Sequence, residues 1–532
     1  MAHQLNDQGF VCGALHALQV ARTKATTSES KMNTTAAFII QLLQVNLTIS
    51  TNTLTEFTES CEICETTNTT SGAWALCVVA SKCYLASNYP LAYILFSKGL
   101  LLDQNSNNQS VASKIAYTYS GDCLCSTAGK ELVSNTTQEE RWNQAESFYN
   151  NALAMDSKFV DAKSSLAELL RKRGSLERSL LEFQSIYECL DATKTGSDAL
   201  DLIFNHSQCL ESMCRYEEAF SILVQQAETA ITRLPPTGDV ARVAEHALVL
   251  LYLKIRYVAN KMNNKTNKLQ ITLTPWKKLI FMTENWSISV QQIIRIKLPT
   301  HWAYAYFLRQ LWCTTGHNLK NLQFKQERHI DSDSAWLPIV GDSHCLSLAW
   351  STISNRQVVP FVATGLKAWH VRKECSPFVT VSNLTCIFNI LKSKNVTDIL
   401  FSCGEIDCRE GIAAAVKKGK HATIQDAVRV TVGLMLEGLQ FQTVGSFTVH
   451  MLTCPPPVNK NENMKRAKIV QFWNKELRRQ CVTNTIRNIR LIDVESECLC
   501  SSGLFLKDEL NADGTHLNHN LVKVLEKSSY NF

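Results

Sequence analysis

Apolar residues in the N-terminal part of the chain recur at the spacing of amphipathic helices. The clearest pattern runs from Trp142 to Leu190, where apolar residues three and four positions apart mark three successive helix faces. Asp156 interrupts the first helix, and Gly174 separates the second helix from the third. We therefore predict paired helices here. The residues on the apolar faces are Ala145, Phe148, Tyr149, Ala152, Leu153, Ala162, Leu166, Leu169, Leu170, Leu176, Leu180, Phe183 and Tyr187.

The hydrophobic pattern changes after residue 330, where short apolar runs end in Gly, Cys or Pro and alternate with helical periods. Such alternation predicts an α/β domain in three layers, with a parallel sheet covered by helices on both faces. The predicted strands are Leu337–Val340, Val358–Gly365, Asp398–Gly404, Phe447–Cys454 and Ile489–Val494. The predicted helices are Cys345–Ser354, Leu384–Ser393, Ile424–Leu439 and Met464–Cys481.

These patterns divide the chain into four parts. Residues 1–71 form a leader of helical and polar stretches, and residues 72–235 carry the paired helices. Residues 236–330 are a mostly helical connecting region, and residues 331–532 are the α/β domain. A length of 532 residues agrees with several domains, because one hydrophobic core rarely grows that large.

Composition excludes some classes of protein. Hydrophobic residues make up 45% of the chain and charged residues 19%, which is typical of globular domains. The net charge of +6 is small and includes no dense Lys or Arg block, so we expect no nucleic-acid partner. Apolar stretches are broken by charges before they reach the length of a bilayer-spanning helix, so we predict no transmembrane segment.

Cysteine usage indicates the compartment. The N-terminus shows no signal-peptide pattern, so we expect an intracellular protein in a reducing compartment, specifically the cytoplasm. In that compartment most of the 20 cysteines would be small buried residues and not disulfides. The Cys61–Cys64 and Cys123–Cys125 pairs lack the matched spacing of a zinc site and are interpreted as free thiols. We therefore predict no metal and no cofactor.

The paired helices resemble tetratricopeptide repeats, whose unit is a helix–turn–helix of about 34 residues. This resemblance implies a superhelical array that binds a protein or peptide ligand. Two looser copies span Ala75–Asp103 and Ala199–Ala230, and Ser106–Glu139 is interpreted as an insertion. An irregular all-helical domain is the alternative. The residues that carry the resemblance in the clearest copy are Trp142, Ala145, Phe148, Tyr149, Ala152, Ala162, Leu166, Gly174 and Leu180.

Two motifs in the α/β domain suggest hydrolytic chemistry. Gly341-Asp342-Ser343 follows the first strand, where a serine would face the crevice at the carboxyl end of a parallel sheet. Asp513 stands three residues before His516 on a predicted turn, so its carboxylate could orient the imidazole as a general base. The order Gly-Asp-Ser, glycine-ending strands and Asp-x-x-His resembles the SGNH, or GDSL-type, hydrolases. That resemblance covers about residues 335–525.

The resemblance implies a role for each motif residue. Ser343 would be the nucleophile, His516 the general base and then acid, and Asp513 the orienting carboxylate. The backbone amides of Ser343 and Gly365 would bind the oxyanion, and each such donor contributes roughly 3–4 kcal/mol.

The third conserved block of that family normally reads Gly-x-Asn-Asp, and here it departs from the pattern. The chain has Gly404 and Glu405, then Ile406 in place of the asparagine, then Asp407. The hydrogen-bonding role of that asparagine would then pass to Glu405, Asp407 or Arg409. The guanidinium of Arg409 suits an oxyanion or a substrate carboxylate. The alternative is that Arg409 pairs with Glu405 or Asp407 and only closes the loop.

The same loops also contain residues that could act as a thiol nucleophile or as metal ligands. Cys345, Cys403 and Cys408 could supply a thiol nucleophile, but buried cysteines usually only pack. A metal held by Asp513, His516 and His519 would compete with the triad for two of its residues. His344 and His519 are expected to face solvent or to lie behind the catalytic groups.

Three functions remain open. The first is a serine esterase for a short acyl ester, such as an O-acetyl group on a carbohydrate, brought to its target by the repeats. The second is a catalytically silent scaffold that acts through protein–protein contacts, which Ile406 favours. The third is an O-acyltransferase with the same residues, in which a sugar hydroxyl instead of water resolves the acyl-enzyme.

Overall fold

A computed structural model describes most of the paired helices and of the α/β region. The described residues are 76–77, 80–81, 83–85, 88–104, 111–126, 136–189, 197–215, 218–219, 222, 336–349, 351–372, 378–443, 445–483, 488–512 and 514–527. The predicted leader, the connecting region 236–330, the Cys61–Cys64 pair and Asp513 lie outside them.

The N-terminal region is helical throughout its described elements. Its helices are α1 (Tyr89–Gln104), α2 (Val111–Cys125), α3 (Gln138–Met155), α4 (Val160–Lys172), α5 (Leu176–Cys189) and α6 (Ser197–Ser212). The three helices predicted between Trp142 and Leu190 correspond to α3, α4 and α5. Ser106–Glu139, interpreted as an insertion, contains α2, which packs on both α1 and α3.

Helix α3 shows how local sequence sets an element. Thr137 accepts a hydrogen bond from the Glu140 amide, and the Glu140 carboxylate accepts one from the Thr137 amide, which is a capping box. The small side chains of Ala145 and Ala152 are fully buried, so neighbouring helices can approach closely. Tyr149 is buried beside them and donates from its hydroxyl to Asp122 of α2 at 2.8 Å.

The chain divides into two compact units. One contains Met1–Leu169 and Leu181–Asp191, and the other contains Leu170–Leu180 and Ala192–Phe532. Helix α6 therefore belongs with the α/β region. There it packs against α7 (Val379–Ser393), where Asn383 Nδ2 donates to the Ser212 carbonyl at 2.9 Å.

The described residues of the α/β region form a mixed six-stranded sheet in the order β2-β3-β1-β4-β5-β6. Strand β2 pairs antiparallel with β3, and the remaining pairs are parallel. The strand bounds are β1 Trp336–Gly341, β2 Thr352–Ile353, β3 Arg356–Val362, β4 Asp398–Ser402, β5 Thr448–Leu452 and β6 Ile489–Ile492. The five predicted strands coincide with β1, β3, β4, β5 and β6.

Helices alternate with the parallel strands, and their apolar residues share a core with the sheet. Besides α7, they are α8 (Ile412–Lys417), α9 (Ile424–Thr443), α10 (Met464–Thr483), α11 (Glu495–Cys498) and α12 (Leu521–Lys527). A helical N-terminal region followed by a mixed sheet with helices confirms the predicted multidomain α/β class. Within the described part of the chain, no helix is both long and apolar enough to cross a bilayer.

The prediction of a helix at Cys345–Ser354 is wrong. The chain forms a 3-10 helix over Ser343–Leu348 and then enters the short strand β2. Ser354 and Asn355 have φ of 49° and 62°, and they form the two-residue turn of a hairpin between β2 and β3. Two successive positive φ angles suit the right-handed twist of a hairpin and end any helix.

Candidate active site

The candidate site lies at the carboxyl ends of the central strands. Strand β1 sits between β3 and β4, and the chain connections leave it in opposite directions along the sheet. In open parallel sheets this reversal of strand order opens a crevice where ligands bind. The loops that follow β1, β3 and β4 carry Ser343, Gly365 and Glu405 respectively.

Ser343 is the first residue of the 3-10 helix and is half-buried. Asp342 precedes it as the N-cap, and its Oδ1 accepts from the His344 amide at 2.9 Å. This cap fixes the turn that directly follows β1, because it satisfies one of the free amides at the start of the helix. The serine side chain is therefore held at the edge of the sheet by backbone geometry.

His516 meets Ser343 across the site. Its Nε2 lies 2.7 Å from Ser343 Oγ, which is hydrogen-bonding distance. The ring is buried on a loop that is tied together by Asn518, whose Nδ2 donates to the carbonyls of Glu509 and Asn511. Residues 343 and 516 are thus paired as the sequence predicts, whereas the predicted third member, Asp513, lies outside the described residues.

Glu405 is buried beside two guanidinium groups and a histidine ring. Its Oε1 lies 2.6 Å from the guanidinium of Arg466, and its Oε2 lies 3.5 Å from Arg409 and 3.7 Å from His344 Nε2. Burial alone would raise its pKa, but the His344 ring and the two guanidinium groups outweigh that effect and lower the pKa of Glu405 to about 2. Glu405 is therefore a permanent anion that closes this loop.

Arg409 is the residue predicted to replace the asparagine side chain as a hydrogen-bond donor. Its Nε donates to Glu410 at 2.9 Å, and its second contact is the one with Glu405. Of the two roles considered for Arg409, the structure shows the ion pair that closes the loop. Ile406 is half-buried in helical conformation at the start of a one-turn π-helix, Asp407–Gly411.

Asp407 joins the third block to the loop after β3. Its Oδ2 accepts from the Ala368 amide at 2.9 Å, three residues beyond Gly365. Burial raises the pKa of Asp407 to about 6, against the lowering effect of the Ala368 amide. Gly365 itself lies in an exposed turn with φ of 71°. Asp407 thus positions the loop that carries the predicted oxyanion amide.

The backbone at Gly404 packs closely against the indole ring of Trp473. Its φ is 112°, and a Cβ at this position would lie 2.6 Å from the indole ring. Trp473 is fully buried on α10. Only glycine satisfies both the backbone conformation and the close approach. The Gly404 position is therefore explained by packing.

Asp342 is the second buried acid of the site. Burial raises the pKa of Asp342 to about 8, and the nearby Glu405 carboxylate adds to the rise. Among the described residues its Oδ2 has no hydrogen-bond partner. Asp342 is therefore neutral at pH 7, and the negative charge beside the first loop is that of Glu405.

The alternative chemistries find little support in the geometry. Burial raises the pKa of Cys403 and of Cys408 well above the usual thiol range, so neither is a thiolate at neutral pH. The ring of His519 lies against the Ser347 carbonyl, with Nδ1 at 2.5 Å. Within the described ranges, no group of three or more acidic, histidine or cysteine side chains is arranged to hold a metal ion.

Sequence reasoning left two places open for His344 and missed Arg466. His344 lies behind Ser343 with 4% of its surface exposed, instead of facing solvent, and Arg466 reaches Glu405 from α10. The apolar residues that follow His344 in the sequence are a signal of its burial. Arg466 gives no such signal, because it lies in a helix rich in basic residues far along the chain.

No model of a known protein family matches the chain, and no curated protein sequence matches it either. The roles of the site residues are therefore argued from their geometry and from the motifs that they form.

Proposed function

We propose that the C-terminal region is a serine hydrolase that cleaves a short acyl ester through an acyl-enzyme. The contact between Ser343 Oγ and His516 Nε2 at 2.7 Å carries the proposal. A serine hydroxyl is a weak nucleophile until a neighbouring base accepts its proton, and this pairing supplies the base. The site also lies at the crevice where α/β sheets bind their ligands.

The reaction would proceed in two steps. Ser343 Oγ attacks the ester carbonyl while His516 Nε2 takes the hydroxyl proton, which it then gives to the departing alkoxide. Water then attacks the acyl-serine, and His516 again takes a proton and returns it to Ser343 as the acid leaves. In this proposal Asp513 orients the imidazole, as the resemblance to SGNH hydrolases implies.

We assign oxyanion binding to the backbone amides of Ser343 and Gly365. The third block supplies no donor in this assignment, because Ile406 has an apolar side chain and Arg409 is engaged by Glu405 and Glu410. Loss of one donor slows such enzymes by roughly 100- to 1,000-fold without abolishing them. We therefore expect a slow esterase.

Two finer assignments belong to the same proposal. The strand order, with β1 between β3 and β4, agrees with a three-layer SGNH-type domain. The helices α3 and α4 carry fully buried alanines and, together with α5, agree with tetratricopeptide-like repeats that bind a protein or peptide. A short acyl group on a carbohydrate is our preferred substrate, by analogy with the family alone.

The test is hydrolysis of p-nitrophenyl esters of two to eight carbons by the full chain. We expect turnover that falls with acyl length and is abolished in Ser343→Ala. Ser351→Ala is the matched control, because the Ser351 hydroxyl donates to the Leu348 carbonyl and has no histidine partner in the described structure. Equal turnover by wild type and Ser343→Ala would refute the proposal.

A catalytically silent binding protein is the second candidate. It is favoured by the third block, where Ile406 replaces the expected donor and the neighbouring polar side chains are committed to ion pairs. A folded protein that hydrolyses none of the esters would favour this function over the hydrolase. Acyl transfer would instead appear as faster release of p-nitrophenol when a sugar alcohol is added.

A further inference from the structure

His344 lies between the reactive pair and the buried charges. Its ring centroid is 4.7 Å from that of His516, with 34° between the ring planes. Its Nε2 lies 3.7 Å from Glu405 Oε2. The side chain is 3% exposed, so it shields the ring of His516 from water on that side.

Glu405 cannot move away from His344 without breaking a buried ion pair. Arg466 is 9% exposed on its side chain and lies 2.6 Å from Glu405 Oε1. Arg409 adds a second, more exposed cation. The chain of contacts from Arg466 through Glu405 and His344 therefore ends at the ring of the proposed general base.

We propose that His344 is a positioning residue: its ring packs on His516 and keeps that imidazole aligned with Ser343. This inference rests on the proposed hydrolase function, because alignment matters only if His516 accepts the serine proton. Small misplacements of a catalytic base are costly, since a shift of about 1 Å can reduce a rate by about 100-fold.

The charge state of His344 agrees with this role. Burial lowers the pKa of His344, and the neighbouring His516 and Arg466 act in the same direction against the effect of Glu405. The groups that face it are His516 from the loop after β6, Glu405 from the third block and Arg466 from α10. Asp342 approaches only through the His344 backbone amide. A neutral ring adds no repulsion when His516 becomes a cation.

The test measures the rate at which a fluorophosphonate labels Ser343 in folded full-length variants. His344→Ala removes the ring, and His344→Phe keeps a planar ring without nitrogen. We expect labelling of His344→Ala to be slower by about 100-fold. His344→Phe should recover most of the wild-type rate, because its planar ring can still pack on His516.

Other outcomes decide against the inference. If His344→Ala labels at the wild-type rate, His344 has no positioning role although the hydrolase proposal stands. If His344→Phe is as slow as His344→Ala, a planar ring does not align His516 and the inference fails. If wild type is not labelled at all, both proposals fall. His344→Leu, expected to be slow because it lacks a planar ring, replaces His344→Ala if that variant does not fold.

Discussion

The loops after β1 and β4 end at the same edge of the sheet but differ in how their polar groups are used. The loop after β1 presents Ser343, half-buried, with its hydroxyl on one histidine. The loop after β4 presents Glu405 and Asp407, both buried, with their oxygens held by cations or by a backbone amide. Of the two loops, only the first has its hydroxyl within hydrogen-bonding distance of a histidine ring.

The difference teaches that a loop rich in charged residues can owe them to its architecture. The loop after β4 contains Gly404 and several charged residues, and its charges stabilise the loop and contact His344. In the loop after β1 the Asp342 cap leaves the serine hydroxyl to its histidine partner.

The largest effect is expected at the buried ion pair. Arg466→Met leaves Glu405 beside the more exposed Arg409 alone, and breaking a buried pair in this way costs about 3–5 kcal/mol. Arg409→Met is the control, because an exposed pair contributes about 0–1 kcal/mol. Urea unfolding of both variants gives the comparison. Equal losses would show that Arg466 does not anchor the third block.

The next effect is expected at the glycine of the third block. Gly404→Ala imposes a strained φ and a collision with Trp473, for a combined loss of about 3 kcal/mol. Gly365→Ala has a positive φ but no atom within 4 Å of the new Cβ, so it should lose only about 1 kcal/mol. Thermal unfolding that ranks the two variants the other way would contradict the packing of Gly404.

A smaller effect is expected where Asp407 holds the loop after β3. Asp407→Ala removes the acceptor for the Ala368 amide and leaves that donor buried, at a cost of about 1–3 kcal/mol. Asp407→Asn keeps an acceptor of the same size and should lose less. Because this loop carries Gly365, Asp407→Ala should also lower ester hydrolysis more than its stability loss explains. Unchanged turnover per folded molecule would separate Asp407 from the oxyanion loop.

The final prediction concerns the buried acid of the first loop, whose titration changes the free energy of unfolding by about 1.4 kcal/mol per pH unit. The pKa of Asp342 is about 8 in the folded chain and about 4 when unfolded, so folding takes up a proton between these values. The contribution of Asp342 to the stability of the fold is therefore fully present below about pH 4 and is lost as pH rises toward 8. Asp342→Asn should flatten the pH dependence of unfolding between pH 5 and 7.5. An unchanged slope would mean that Asp342 is ionised.

The sequence predicted most of the sheet because buried parallel strands are short apolar runs with clear punctuation. It also suggested Ser343 and His516 as partners, from the order of the Gly-Asp-Ser and Asp-x-x-His motifs. It did not predict β2, because a two-residue turn at Ser354 and Asn355 depends on φ angles that ordinary residues rarely adopt. It interpreted the segment that contains α2 as an insertion, because this segment does not follow the spacing of the repeats.

The buried charges were harder to predict for a different reason. The contact between Glu405 and Arg466 joins residues of different elements, and no local period relates them. The burial of His344 follows from packing against His516, which belongs to a loop near the end of the chain. Such partners are determined by the tertiary structure, so sequence reasoning selected Arg409, the nearest basic residue along the chain, instead.

The most direct test of the central claim is the mass of the full chain after treatment with a fluorophosphonate, followed by peptide mapping. The account predicts one adduct, located on Ser343, in wild type and none in Ser343→Ala. Arg409→Met should still be labelled, since its guanidinium is not assigned to the oxyanion. A folded wild-type protein that gains no mass, or gains it at another serine, would contradict the claim that Ser343 is activated by His516.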